Sequence, residues 1–204
     1  MKRMTLLQCA AMLSVGVAML NAQDPAPLSR PPQKVPFTVY EDGGSSKNHY
    51  TASGYMGDYS DLSVNQSWKE LPGEGLTCIR VKYNAKVSQG QRWAGVYWQD
   101  PPNNFGTMKN GGYNVTGATK LKFMARGDKG GEIVEFACGG IPGDYPDTFL
   151  AASSPEVLTT EWKEYEIDLQ GLDLSVCQGG FRFVVQQEKH PDGAVFYLDN
   201  IRFG

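Results

Sequence analysis

Apolar and polar residues alternate with period two along much of this chain. In TKLKFMAR, Thr119, Leu121, Phe123 and Ala125 face one way, and Lys120, Lys122, Met124 and Arg126 the other. CIRVKY sets Ile79, Val81 and Tyr83 against Cys78, Arg80 and Lys82. EYEIDL sets Tyr165, Ile167 and Leu169 against Glu164, Glu166 and Asp168. Alternation of this kind marks half-buried strands of antiparallel sheets. Further strands are expected near 35–41, 91–99, 131–139, 180–187 and 194–203. Turn signals separate them: Pro72-Gly73, Gly111-Gly112, Gly127-Asp128, Pro142-Gly143 and Pro191-Asp192-Gly193, the last read as a hairpin turn. No segment sustains a helical period. Many short strands with Gly- and Pro-rich turns predict an all-β sandwich or barrel.

The ends change this picture. Lys2 and Arg3, the apolar run 6–20 and the small residue Ala22 have the three-part pattern of a secretory signal peptide over 1–22. The run is too short for a membrane span, and no later stretch is long enough. Residues 23–36 hold five of the twelve prolines and read as an extended linker, so the domain is expected over 37–204. Removing the signal takes two basic residues and no acidic one, leaving 17 basic against 22 acidic and a net charge of −5. That balance gives no basic face for a nucleic acid. Cys78, Cys138 and Cys177 allow one bridge at most. Small buried side chains are the simpler reading, and Cys138 with Cys177 the pairing favoured if a bridge forms.

Local catalytic motifs are absent. There is no GxSxG, HExxH or phosphate loop. His49 and His190 lie far apart in expected loops. Glu132 and Glu135, three apart in a strand, point to opposite faces, and Glu164, Glu166 and Asp168 suit a solvated sheet surface. In AVFYLDNIRF, apolar groups on both faces enclose Asp199. A buried carboxylate requires a cation or several hydrogen bonds. The first alternative points to calcium, a hard cation that gathers carboxylates and carbonyls. Co-ligands would come from Glu41, Asp42, Asp58 and Asp61.

GQRWAGVYWQDPPNNFG, residues 90–106, is the densest aromatic cluster. As a strand, it puts Ala94, Val96 and Trp98 on one face and Trp93, Gly95 and Tyr97 on the other. The first set reads as core. The second offers two flat rings about 13 Å apart, a spacing suited to two sugar rings of an extended chain. Arg92, Gln99, Asp100, Asn103 and Asn104 could bond hydroxyls. The alternative is that Trp93 and Tyr97 pack beneath a loop.

Four stretches carry a resemblance: VYEDGG, GYNVTGATKLKFMARG, LTTEWKEYEIDLQGL and GAVFYLDNIRFG. With them the chain resembles the jelly-roll carbohydrate-binding modules of the galactose-binding-like superfamily. It is similar above all to secreted bacterial proteins of unassigned role that carry SGYMGD, WAGVYWQDPPNNFG and GGEIVEFACGG. The resemblance implies an antiparallel β-sandwich with jelly-roll topology and a structural calcium near the joined termini. Asp199 would ligate it from the last strand, with Asp42 or Glu41 after the first strand. It transfers no sugar-binding residues. The expected function is a secreted, non-catalytic protein holding a polysaccharide such as a β-glucan on an aromatic-lined concave sheet. Trp93 and Tyr97 would stack, and Gln99 and Asn104 would bond hydroxyls. An envelope protein-interaction domain and a glycan-active enzyme are the other two readings.

Overall fold

A computed structural model describes residues 30–204; the expected signal peptide and most of the expected linker lie outside the described residues. Alternating side chains make each strand two-faced, so the stable arrangement packs two sheets on their apolar faces. The strands are β1 (Phe37–Tyr40), β2 (Thr51–Gly57), β3 (Leu62–Trp68), β4 (Cys78–Tyr83), β5 (Trp93–Gln99) and β6 (Lys120–Gly127). Then follow β7 (Ile133–Gly139), β8 (Leu150–Ala152), β9 (Glu156–Val157), β10 (Lys163–Asp168), β11 (Gly179–Gln186) and β12 (Ala194–Phe203). One sheet runs β10-β6-β12-β4-β3, with β1 also paired to β12. The other runs β2-β5-β11-β7-β8, with β9 paired to β7. Every strand pair is antiparallel. The result is the jelly-roll β-sandwich.

The core lies between the sheets. Phe123 of the first meets Phe136 of the second at 4.6 Å between ring centres, and Phe183 meets Phe196 edge-on at 5.1 Å. Trp98 is fully buried among them, 5.5 Å from Phe181.

Two expectations are corrected. Pro191-Asp192-Gly193 does not close a hairpin, because β11 and β12 belong to different sheets; the turn carries the chain from one layer to the other. The described end of the expected linker is not free either. Arg30 pairs with Asp100 at 3.2 Å, Gln33 donates its backbone N–H to Asn114, and Val35 packs on the core. Strands β2, β3, β8 and β9 escaped the pattern reading. Gly54 and Gly57 interrupt β2, and polar Gln66 takes an inward position in β3, where its side chain accepts from the Trp98 indole at 3.2 Å.

Candidate functional site

The outward face of the second sheet carries the site. Strand pairing places Met56 beside Gly95, Gly95 beside Val184, and Val184 beside Glu135. One step along, Trp93 pairs with Gln186. Arg182 lies on the same face, two residues from Val184. With Arg92, Gln187 and Glu188, all of these but Gly95 line an open groove of about 550 Å³. Gly95, buried beneath Met56 and Val184, brings β5 close to β11. A Cβ there would strike the Phe183 carbonyl oxygen at 2.5 Å and Val184 at 3.1 Å. Half-exposed Trp93 forms a wall, with Met56 alongside. The polar lining is internally braced. Gln186 Nε2 donates to Glu135 Oε1 at 2.8 Å, and Arg182 Nη1 donates to the Tyr97 hydroxyl at 3.1 Å.

Asp58 positions the Trp93 rim. It is fully buried, and its carboxylate accepts three backbone amides of the segment before β5. Oδ1 takes Gln89 at 2.7 Å and Gln91 at 3.0 Å; Oδ2 takes Arg92 at 2.6 Å. Burial pushes its pKa up, but these amide bonds outweigh it and hold the carboxyl below its ordinary value. Arg92 has φ 63°, a left-handed conformation that an arginine adopts only when held. Gly57, at φ 64°, lets the chain lie directly against the Trp93 carbonyl and ring, where any Cβ would collide. Asp58 itself donates its N–H to the Trp93 carbonyl at 2.7 Å. Asp58→Ala is therefore expected to release residues 87–92. Proteolysis there should accelerate while the far-UV circular dichroism stays that of a β-sandwich. An unchanged cleavage rate would show that the segment holds itself.

The other residues expected to touch sugar lie inside. Tyr97 shares Trp93's face, as parity requires, but is only 3% exposed. Ile141 and the glycines at 54 and 179 pack around it, and its hydroxyl donates to the Gly139 carbonyl at 3.1 Å. Arg182 lies over its ring at 5.3 Å. The 13 Å pair of stacking rings is thus not formed: Trp93 is open, and Tyr97 supports Arg182. Gln99 and Asn104 are fully buried. Gln99 donates to the Asn104 carbonyl at 2.8 Å and accepts from Ser53; Asn104 Oδ1 takes the amides of Thr107 and Met108, and its Nδ2 reaches Gln178. Their polar groups close the 100–108 loop and do not reach the groove. Met56, Arg182, Val184 and Gln186 were not singled out from the sequence, and Glu135 was weighed only as a partner for Glu132, because only strand neighbourhood brings these residues together.

Nor do the four expected calcium ligands form one set. Asp58 serves the Trp93 rim. Glu41 binds Lys47 at 3.1 Å and Ser45 at 2.8 Å. Only Asp42 and Asp199 approach each other, on either side of the 73–77 segment. Asp199 Oδ2 accepts from Gly73 at 2.9 Å and Glu74 at 3.0 Å, and Oδ1 from Asn200 at 2.8 Å. Asp42 Oδ1 accepts from Leu76, Thr77 and the Thr77 hydroxyl at 2.7–3.1 Å. Six donors thus face the two carboxylates, all three at Asp42 falling on Oδ1. Among the described residues no three His, Cys, Asp or Glu side chains converge as a metal site. Burial raises the Asp199 pKa to about 6, against the lowering effect of the Glu74, Asn200 and Gly73 amides; the Asp42 charge adds to the rise. A folded value above the unfolded one, about 3.9, means stability is lost as pH rises from about 4 through 6. If the amide bonds alone offset these two charges, chelator should leave the melting temperature unchanged, and Asp199→Asn should reduce its fall between pH 4 and 6. A chelator-induced drop would instead establish a bound cation.

The histidines divide. His49 stacks on Phe37 at 4.0 Å in a half-exposed position. His190 is buried, not solvated, with Nε2 2.8 Å from the Ile133 carbonyl oxygen. The three described cysteines are buried free thiols.

Comparison with solved structures shows the fold. A family 30 carbohydrate-binding module superposes with a TM-score of 0.55 at 13% identity, covering 84% of this chain and 99% of that one. The family 30 module of a cellulosomal cellulase of Clostridium thermocellum gives 0.55 at 14%, covering 84% and 98%. The chain therefore has the jelly-roll fold of carbohydrate-binding modules. No family model and no curated protein sequence matches it. Among the described residues no helix is long and apolar enough to cross a membrane.

Proposed function

We propose that this is an exported, non-catalytic carbohydrate-binding protein that holds a polysaccharide such as a β-glucan in the Trp93 groove. The observation that carries the reading is the open groove itself. A sugar ring has an apolar C–H face and a hydroxyl edge. Trp93 and Met56 offer a flat apolar wall, while Arg182, Glu135 and Gln186 offer braced donors and acceptors beside it. Orientation then comes from polar groups and affinity from the ring. A single open ring suits a short, locally curved stretch of glycan better than a flat crystalline surface. Export rests on the 1–22 pattern, and the fold shared with family 30 modules supports the ligand class.

The test is affinity electrophoresis of the purified protein in gels containing β-glucans and related neutral polymers. Retardation by at least one of them is expected, with no new reducing ends after prolonged incubation. Failure of the folded protein to bind any neutral glycan would remove this reading. Hydrolysis abolished by Glu135→Gln would replace it with an enzymatic one.

A further inference from the structure

The outward face of the first sheet carries a second organised surface. Pairing sets Arg80 of β4 and Arg126 of β6 on either side of Tyr197 of β12. Arg126 lies 4.2 Å from the Tyr197 ring centre and 5.7 Å from that of Trp162. Arg80 lies 4.8 Å from the Trp68 ring centre. Across the sheet the order is therefore Trp68, Arg80, Tyr197, Arg126, Trp162. The two arginines stand two strand spacings apart, about 10 Å.

Their charges are unanswered. Both side chains are half-buried, a state in which guanidinium groups are normally paired. Among the described residues no carboxylate oxygen lies within 4.0 Å of either guanidinium. Both Nε atoms are buried without a partner. Arg126 makes one long bond, 3.4 Å, to the Thr160 carbonyl. The nearby acid Asp128 is engaged by the Tyr197 hydroxyl at 2.8 Å. Lys82, on the same face as Arg80, forms no ion pair. At the other edge of the same face the charges are matched: Lys120 with Glu166 at 2.5 Å, and Lys122 and Arg202 with Glu164 at 3.4 and 2.9 Å. The row thus holds two unpaired guanidiniums, while the acids beside it, Asp128 and Asp199, are engaged by the Tyr197 hydroxyl and by backbone amides.

We propose that this row is a second binding face, separate from the Trp93 groove, for an acidic polysaccharide whose sugar rings bear carboxylates. Stacking on aromatic rings fixes the guanidinium planes before binding, so little side-chain freedom is lost when a carboxylate is gripped. Trp68 and Trp162, half-exposed at the two ends, offer ring faces to the sugars between the charges. Two outer tryptophans with two arginines between them, spread over β3, β4 and β6 and the residue before β10, match a chain of sugar faces and carboxylates, while buried Tyr197 holds the guanidiniums apart. An acidic peptide would supply the charge without the rings. The proposal does not depend on what the groove binds.

Affinity electrophoresis in gels containing polygalacturonate tests it, with neutral glucan and polyglutamate gels alongside. Polygalacturonate should retard the protein, less so at higher salt, and polyglutamate should not. Arg80→Gln with Arg126→Gln should weaken the retardation at least tenfold, whereas Trp93→Ala should leave it unchanged. Should the double variant melt early, Arg126→Lys keeps the charge but not the planar fork and should still weaken binding severalfold. Absence of retardation, full binding by both folded arginine variants, equal retardation by polyglutamate, or loss with Trp93→Ala would each overturn the proposal. Loss of neutral-glucan binding alone would count only against the groove.

Discussion

Trp93→Ala should weaken glycan binding by roughly thirtyfold while leaving the melting temperature essentially unchanged. The ring is the one large apolar plane among the groove-lining residues. Central tryptophans of binding sites commonly carry about 2 kcal/mol, which is a factor of roughly thirty in affinity. Its removal opens no internal cavity, because Trp93 stands on the outward face at the start of β5, half-exposed over Gly57. Titration calorimetry with the glycan selected by the gels, beside a thermal melt, separates the two effects. A folded variant with unaltered affinity would take Trp93 out of the site. A variant that loses both affinity and stability would make it a structural residue.

Trp98→Ala should do the reverse. Five residues along the same strand, this ring faces inward, fully buried, with Phe181 at 5.5 Å and Phe183 at 6.2 Å. Its indole N–H bonds Gln66 at 3.2 Å. Truncation leaves a large cavity and orphans the Gln66 oxygen, at a cost of about 3–5 kcal/mol. Against a total stability of roughly 5–15 kcal/mol, and at about 2–4 °C per kcal/mol for a domain of this size, the melting point should fall by about 10 °C or more. Trp98→Phe, which refills part of the volume, should recover part of the loss. A melting point within a degree of the parent would mean that the sheets close over the gap, contrary to the close packing seen here.

These opposed expectations mark how far the chain can be read by eye. Parity along a strand is a local property, so 93–98 alone assigned Trp98 to the core and Trp93 to the other face. The same rule found eight of the strands now seen, including β4, β6, β10 and β12, and with them a two-layer antiparallel architecture. Where polar or glycine residues replaced apolar ones, at Gly54, Gly57 and Gln66, it found no strand. Gly54 pairs with Tyr97 on the outward side of β2, and Gln66 turns its own polar side chain inward to the Trp98 indole.

Parity could not tell which outward residues stay outside. Tyr97 has Trp93's parity, yet Arg182 lies over its ring and the Gly139 carbonyl takes its hydroxyl, both from far along the chain. Asp58 and Asp199 are both read from the sequence as candidate calcium ligands. One grips the amides of 89–92 and the other those of 73–74, because long-range folding brings those segments to them. The groove required β2, β5, β11 and β7 to become neighbours, and the arginine–aromatic row required β4, β12 and β6 to do so. From its sequence alone this protein had eight of its strands, its core face and one exposed tryptophan. Strand order and loop cover, set by contacts between distant segments, decided everything that surrounds that tryptophan.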